Sequence, residues 1–558
     1  PRRHRVTSQA TTFPTKQEVD FVVVGSGAAG GVLARELSRA GFDVVVLEQG
    51  QYRKAADFTH DEFSVLFMNE MLGGIDGDHP QSFRASQGDK AEILPGLPPA
   101  LYARTVGGSS VHYSGNFWRF HPIDFNEHSV LGDIESLADW PIDYDELEPY
   151  YTKVDWEIGV SGAPGHFDPY RSRPYPVPPL PVKSSGVLFE RGAKALGLHP
   201  QSAPMAILSK AHNGRPACMH CGFCLAFGCE MNAKSSTLAT MIPEAEATGR
   251  CEIRSESTVF NLPTDNKGRI REVLYYDKNG NEQAQRCKAT ILAANGAETP
   301  RLLFLSASSR FPQGLANSSG LVGKYLMFNC HSVTHAVFEH QLNEYKSVQC
   351  TRISLDFYNS DAKRGFYGGG GLDARPFLNS FPILFGMSGL PPDAPTWGSD
   401  YKQLLSEYFT RNMAVLGSTT SLPVASNNIS LDPTLNDRFG LPALRVTYTD
   451  HEDDLAMAGF LQERAVEILE AAGAKKIWRD PVEPQRMGAH LLGTCRMGDD
   501  PEHSVVDRYH RSHDIDNLFI CDGSSFVTSG RGQPTMTIQA LAFRAAEHIA
   551  RFAKSNEI

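Results

Sequence analysis

No stretch of this 558-residue chain approaches the roughly 18 consecutive apolar residues that a membrane-spanning helix needs. Any association with a bilayer must then come through another subunit. Blocks of like charge are also missing. The formal charge of −11 comes from 64 acidic and 53 basic side chains spread along the chain, a balance that argues against nucleic acid as a partner and for simple solubility. No internal repeat is apparent, and the 49 glycines and 35 prolines form no low-complexity tract. The basic opening, Pro1 to Arg5, is followed by no apolar run and is not a complete export signal. With 41% hydrophobic residues, the length exceeds what one core usually supports, so two interleaved domains are expected.

What the chain does have is a crowd of cysteines. Cys218, Cys221, Cys224 and Cys229 follow a C-x2-C-x2-C-x4-C spacing that lets one loop direct several thiolates at a common centre, the way iron–sulfur clusters are held. The last gap is one residue longer than in the bacterial ferredoxin run. Three or four thiolates, and hence a three- or four-iron cluster, are both compatible with it. Structural zinc loops also begin with C-x2-C. Disulfides are the other rival; they need an oxidising compartment and suit so tight a loop poorly. The remaining six, Cys251, Cys287, Cys330, Cys350, Cys495 and Cys521, are scattered and read as small buried hydrophobes.

From Asp20 an apolar β-branched run breaks into Gly-Ser-Gly-Ala-Ala-Gly. Helical apolar spacing follows from Ala28 to Leu37, and a second strand, Val44 to Leu47, ends in Glu48. Strand, tight turn, helix, strand and acid together form the dinucleotide fingerprint. Gly25 makes the turn, Gly27 lets the backbone approach a pyrophosphate at the helix N-terminus, and Gly30 lets helix and strand pack closely. Glu48 would accept the ribose hydroxyls, and its carboxylate argues against NADP.

The fingerprint alone does not separate FAD from NAD. Further segments do: Arg104 to Arg119 (Arg-Thr-Val-Gly-Gly-Ser-Ser-Val-His-Tyr-Ser-Gly-Asn-Phe-Trp-Arg), Trp140 to Tyr151, Gly296 to Leu303, His490 to Gly498 (His-Leu-Leu-Gly-Thr-Cys-Arg-Met-Gly) and Cys521 to Ser524. Together they resemble the glucose-methanol-choline oxidoreductases, FAD enzymes that oxidise alcohols, over nearly the whole chain. The Gly-Gly-Ser-Ser-Val-His-Tyr stretch and the cysteine cluster are most similar to the large subunits of bacterial gluconate, fructose and glucose dehydrogenases and of glucoside 3-dehydrogenases.

The resemblance implies several cofactor contacts. Gly107 and Gly108 give a side-chain-free passage for the flavin, and Ser109 and Ser110 offer hydroxyls and amides. Val259 presents its backbone to adenine, Asp522 bonds the ribityl chain, and Gly296 closes the fingerprint domain. Tyr113 occupies about the place where the family often carries asparagine. His490 matches the catalytic histidine, a neutral imidazole that takes the hydroxyl proton while hydride leaves carbon. Gln533 stands where the family usually has histidine or asparagine; its amide can orient a substrate oxygen but cannot serve as a base. Pro534 and Thr535 begin a helix, Met536 to Phe552, whose N-terminal amides would face the flavin's pyrimidine edge.

The expected fold is α/β: a Rossmann-like FAD-binding domain (18–330, with the cysteine loop at 216–232, and again 481–558) interleaved with an antiparallel-sheet substrate domain (331–480). The sheet is suggested by His331 to Glu339, Gly368 to Gly371 and Asn428 to Asp432. Tyr170 to Val187 is proline-rich and reads as an extended linker.

The favoured function is an FAD-dependent dehydrogenase that oxidises a hydroxyl of a sugar, sugar acid or glycoside and passes electrons out through the cluster. The resemblance adds a small subunit, a cytochrome c or another one-electron acceptor, and a periplasmic location, with a cytoplasmic one as the alternative. An oxygen-using oxidase, a non-catalytic flavin and iron–sulfur carrier, and a zinc-stapled NAD-binding protein are the competing readings.

Overall fold

The computed structural model describes residues 11–67 and 78–558; the basic opening segment lies outside them. Two parallel partners flank Val19–Val24, whose burial on both faces explains its near-continuous apolar sequence. Val44–Leu47 lies on one side, with Cys251–Arg254 beyond it, and Glu282–Leu292 lies on the other. That last strand is eleven residues long and branches. Its first half takes an antiparallel extension through Glu272–Tyr276 to Thr258–Asn261, and its second half pairs in parallel with Leu518–Ile520. The C-terminal segment is thus stitched into the sheet that begins the chain. The helices Ala28–Arg39 and Thr535–Lys554 pack on one another beside it.

Glycine makes this junction possible. Gly25 adopts φ +94, and a Cβ on Gly30 would lie 1.9 Å from the Gly25 carbonyl oxygen. The helix therefore touches the turn directly. Gly296, in the first turn of helix Asn295–Leu305, admits the Leu491 carbonyl to 2.2 Å of where its own Cβ would be.

The second sheet is fully antiparallel. Its order is Lys476–Arg479, His331–Val337, Asn412–Thr419, Gly370–Arg375, Arg352–Ser354 and Gln201–Ser202. Only the two-residue edge strand comes from outside the stretch expected to build it. Helix Glu452–Ala471 covers one face, burying Met457, Leu461, Ala465 and Ile468 against Leu372, Met413 and Val415. The other face looks toward the first sheet. Asn428–Asn436 departs from expectation: it pairs with Pro442–Thr447 in a separate three-stranded sheet completed by Gln81–Arg84. Alternation identified it as a strand but held no information about its partner. The extended linker also ends early, because helix Ser184–Ala195 begins inside it. No helix among the described residues is long and apolar enough to cross a membrane.

Replacing Gly30 with alanine should lower stability by about 1 to 3 kcal/mol, the range for an overpacked interior, and should lower the thermal midpoint of the purified protein. An unchanged midpoint would mean that the helix is free to shift away from the turn.

Candidate active site

A cavity of about 580 Å³ runs between the two sheets. At one end lies Glu48, 5% exposed, whose carboxylate accepts hydrogen bonds from the Ser26 amide (3.0 Å), the Ser26 hydroxyl (2.7 Å) and the Gly50 amide (2.8 Å). Burial raises its pKa, and these three donors oppose the rise. The same Ser26 hydroxyl accepts the Gly107 amide, tying the acid to the second glycine pair. Both helices that open onto the cavity lack a side-chain cap, one starting after Gly27 and the other after Pro534. Their first amides are donors awaiting an acceptor.

Gly25, Gly27, Glu48, Gly108, Ser109, Val259, Asp522, Pro534 and Thr535 all line this cavity. Gly27 and Gly108 face each other: a Cβ on Gly108 would lie 2.7 Å from the Gly27 Cα, while nothing but Gly108 comes near a Cβ on Gly27. The remaining three glycines act from behind the wall. Gly107 turns at φ +93 against Val111 and Leu238, Gly30 packs the helix, and Gly296 admits Leu491. Asp522 already accepts from the amides of Asn295 and Ser524 and the hydroxyl of Thr299, so it fastens two chain segments as well as facing the cavity.

At the other end His490 and Gln533 meet in one wall. Asn329, which sequence reasoning missed, sets the state of His490. Its amide nitrogen donates to the carbonyls of Thr419 (2.9 Å) and Gly530 (3.2 Å), which fixes the side-chain oxygen toward His490 Nδ1 at 3.0 Å. An amide oxygen can only accept. Nδ1 therefore carries the proton, and Nε2 is left with its lone pair and no partner among the described residues. Burial first, and then the charge of Arg375, pull the His490 pKa down to about 4. It is a neutral base at physiological pH. His331 stands at right angles to it, ring centroids 5.8 Å apart, and burial likewise lowers its pKa to about 3.

Gln533 sits at φ +56, an uncommon conformation for a residue with a Cβ. Buried Arg531 holds the turn in place: it donates to the Tyr358 carbonyl and pairs with Glu127 and Asp124. No motif marked Asn329, His331 or Arg531. His112, inside the quoted glycine-rich motif, was also passed over; it lines the cavity with neither ring nitrogen hydrogen-bonded, and burial with the nearby Lys234 and Arg53 holds its pKa well down.

The cysteine loop forms another part of the wall. Leu225 and Ala226 line the large cavity, and the Ala226 amide donates to the His112 carbonyl. Cys218, Cys221, Cys224 and Cys229 line a separate small cavity immediately behind. All ten cysteines are unpaired, and the six outside the loop are buried. No group of three or more His, Cys, Asp or Glu side chains among the described residues is arranged to hold a metal ion. Lys234 reaches into this loop, 3% exposed, and its ammonium donates to the carbonyls of Tyr113, Cys224 and Phe227. It pairs with no carboxylate among the described residues. Burial lowers its pKa to about 8, and the charges opposing that fall are those of Cys224, Cys229 and Cys221.

A glycine cradle, two uncapped helices, a buried ribose-type acid and a neutral imidazole at the far end define a dinucleotide-dependent oxidoreductase. Two segments, residues 19–330 and 423–542, match the models of the GMC oxidoreductases. The chain is 34% identical to 2-methyl-1,2-propanediol dehydrogenase of Mycolicibacterium austroafricanum, covering 96% of this chain and 95% of that one. It is 29% identical to the fructose dehydrogenase large subunit of Gluconobacter japonicus, covering 95% and 97%. Formate oxidase of Aspergillus oryzae has the same fold, with a TM-score of 0.70 at 15% identity over 98% of this chain and all of that one. The chain belongs to the GMC oxidoreductase family and is an FAD enzyme acting on CH–OH donors.

The cavity's residues suit FAD. When bound, FAD would supply a hydride acceptor for the carbinol carbon. The glycine pair and the helix N-terminus after Gly27 would hold the pyrophosphate, and Glu48 the ribose.

Replacing His490 with alanine should lower turnover by about 10² to 10⁴-fold with the flavin spectrum nearly unchanged; activity within a few-fold of the parent would remove His490 from the mechanism. The base is needed unprotonated, so kcat/KM should stay level from neutral pH downward and fall only as pH approaches about 4. A limb near 6.5 would mean that the pocket leaves the imidazole at its ordinary value. Asn329→Leu, which cannot hold Nδ1–H, should lower kcat more than it raises KM.

Proposed function

We propose that this protein is an FAD-dependent dehydrogenase that oxidises a hydroxyl of a sugar, sugar acid or glycoside, and that electrons leave singly through an iron–sulfur cluster held by Cys218, Cys221, Cys224 and Cys229. His490 Nε2 takes the hydroxyl proton as hydride departs, and the Gln533 amide orients the substrate oxygen. The observation that carries the reading is the position of the cysteine loop: residues directly after Cys224 form part of the flavin cavity's wall.

The four thiols line one small cavity, where a cluster held by three or four cysteines would sit. The Lys234 charge opposes, without overcoming, the burial that raises the Cys224 pKa. An oxidase, which delivers electrons from flavin directly to oxygen, has no use for such a loop.

A one-electron exit needs a one-electron acceptor. We assign that role to a cytochrome c or similar carrier, in a hetero-oligomer with a small subunit on the periplasmic side of the membrane.

Anaerobically purified protein should contain three or four irons per chain, little zinc, and visible absorbance beyond that of flavin. Changing Cys221 and Cys224 together to serine should remove the iron, spare flavin reduction by substrate and abolish electron delivery to the acceptor. A double mutant that still reduces the acceptor at the parent rate would make the loop structural.

A further inference from the structure

Arg375 stands on the face of the antiparallel sheet that looks into the cavity. On Gly370–Arg375 the side chains of Asp373 and Arg375 alternate with those of Leu372 and Ala374, which enter the core on the opposite face. Arg375 reaches the cavity wall beside His331, Leu416 and His490. Behind it lies Asp373, 1% exposed, which accepts from Nε and, at 2.8 Å, from Nη2. The third guanidinium nitrogen, Nη1, has no hydrogen-bond partner among the described residues. It is also absent from the sealed, unsatisfied polar atoms, and so it opens to the cavity.

We infer that Arg375 Nη1 recognises the hydroxyl on the carbon next to the one oxidised, so that the substrate unit is a neutral vicinal diol. Three features support this. Nη1 offers N–H donors and no acceptor, which suits the lone pairs of a hydroxyl oxygen. The buried Asp373 carboxylate, bonded to Nε and Nη2, offsets part of the guanidinium charge, so Nη1 keeps its hydrogen-bonding capacity while its attraction for a carboxylate is weakened. Arg375 also shares the cavity wall with His490 and His331. Leu378, Phe381 and Leu384 add apolar wall to the same cavity, leaving room for a carbon substituent. Asp373 is a positioning residue, holding the guanidinium at the sheet surface.

The inference rests on the reading of His490 as the base, and the test separates the two. Using the holoenzyme with an artificial one-electron acceptor, kcat/KM would be measured for 1,2-propanediol, 1-propanol and lactate. The parent should prefer the diol to both. In Arg375→Gln the ratio of diol to 1-propanol should fall by about 10- to 100-fold, the loss of a hydrogen bond to a charged donor, chiefly through KM for the diol. Arg375→Lys, which keeps the charge but not the fork, should show an intermediate ratio and supplies the measurement if the glutamine variant fails to fold. Asp373→Asn should move the diol-to-lactate ratio toward lactate by unmasking the charge. A diol-to-1-propanol ratio within two-fold of the parent in both Arg375 variants would overturn the inference. Retained turnover of all three compounds in His490→Ala would overturn the underlying reading instead.

Discussion

Everything in this molecule's centre depends on backbone meeting backbone with no side chain between. Gly30 against the Gly25 carbonyl, Gly108 against the Gly27 Cα and Gly296 against the Leu491 carbonyl are three such approaches, and each joins segments that a Cβ would force apart. The first seats a helix on a turn. The second brings two glycine turns together in the cavity wall. The third brings the segment carrying His490 to the start of a helix nearly two hundred residues earlier. Remove any one, and the residues that bind and the residues that react no longer share a wall.

The nucleotide half was readable because its signals are local. Val19–Val24, Ala28–Arg39, Val44–Leu47 and Thr535–Lys554 follow from apolar spacing and glycine alone, with boundaries differing by a residue or two. The antiparallel sheet was readable as a kind of structure but not as a partnership. His331–Val337 and Gly370–Arg375 joined it as expected, while Asn428–Asn436 alternates just as well and pairs elsewhere. Register and partner are decided by burial against distant segments, which a strand's own sequence does not contain.

The active site divides the same way. His490 and Gln533 could be found because they sit in recognisable segments. Asn329, His331, Arg375 and Lys234 could not, since each acts on a group more than a hundred residues away or in another strand, or, as with Lys234, through loop carbonyls that no spacing rule describes. Asn329 shows how much chemistry such a residue holds: two carbonyls choose the direction of its amide, the amide chooses the proton on Nδ1, and the remaining nitrogen keeps its lone pair. Folding, in effect, assigns the tautomer before substrate arrives.

Lys234 has a consequence for how the two walls of the cavity move. One ammonium holds the carbonyl of Tyr113, in the wall of the flavin cavity, and those of Cys224 and Phe227, in the cysteine loop. The two walls are thus fastened through a single atom, and whatever firms one lowers the conformational entropy still to be lost at the other. Such coupling runs equally in both directions. Stiffening either wall therefore stiffens its neighbour, so that Tyr113 and the loop carbonyls gain or lose their order together.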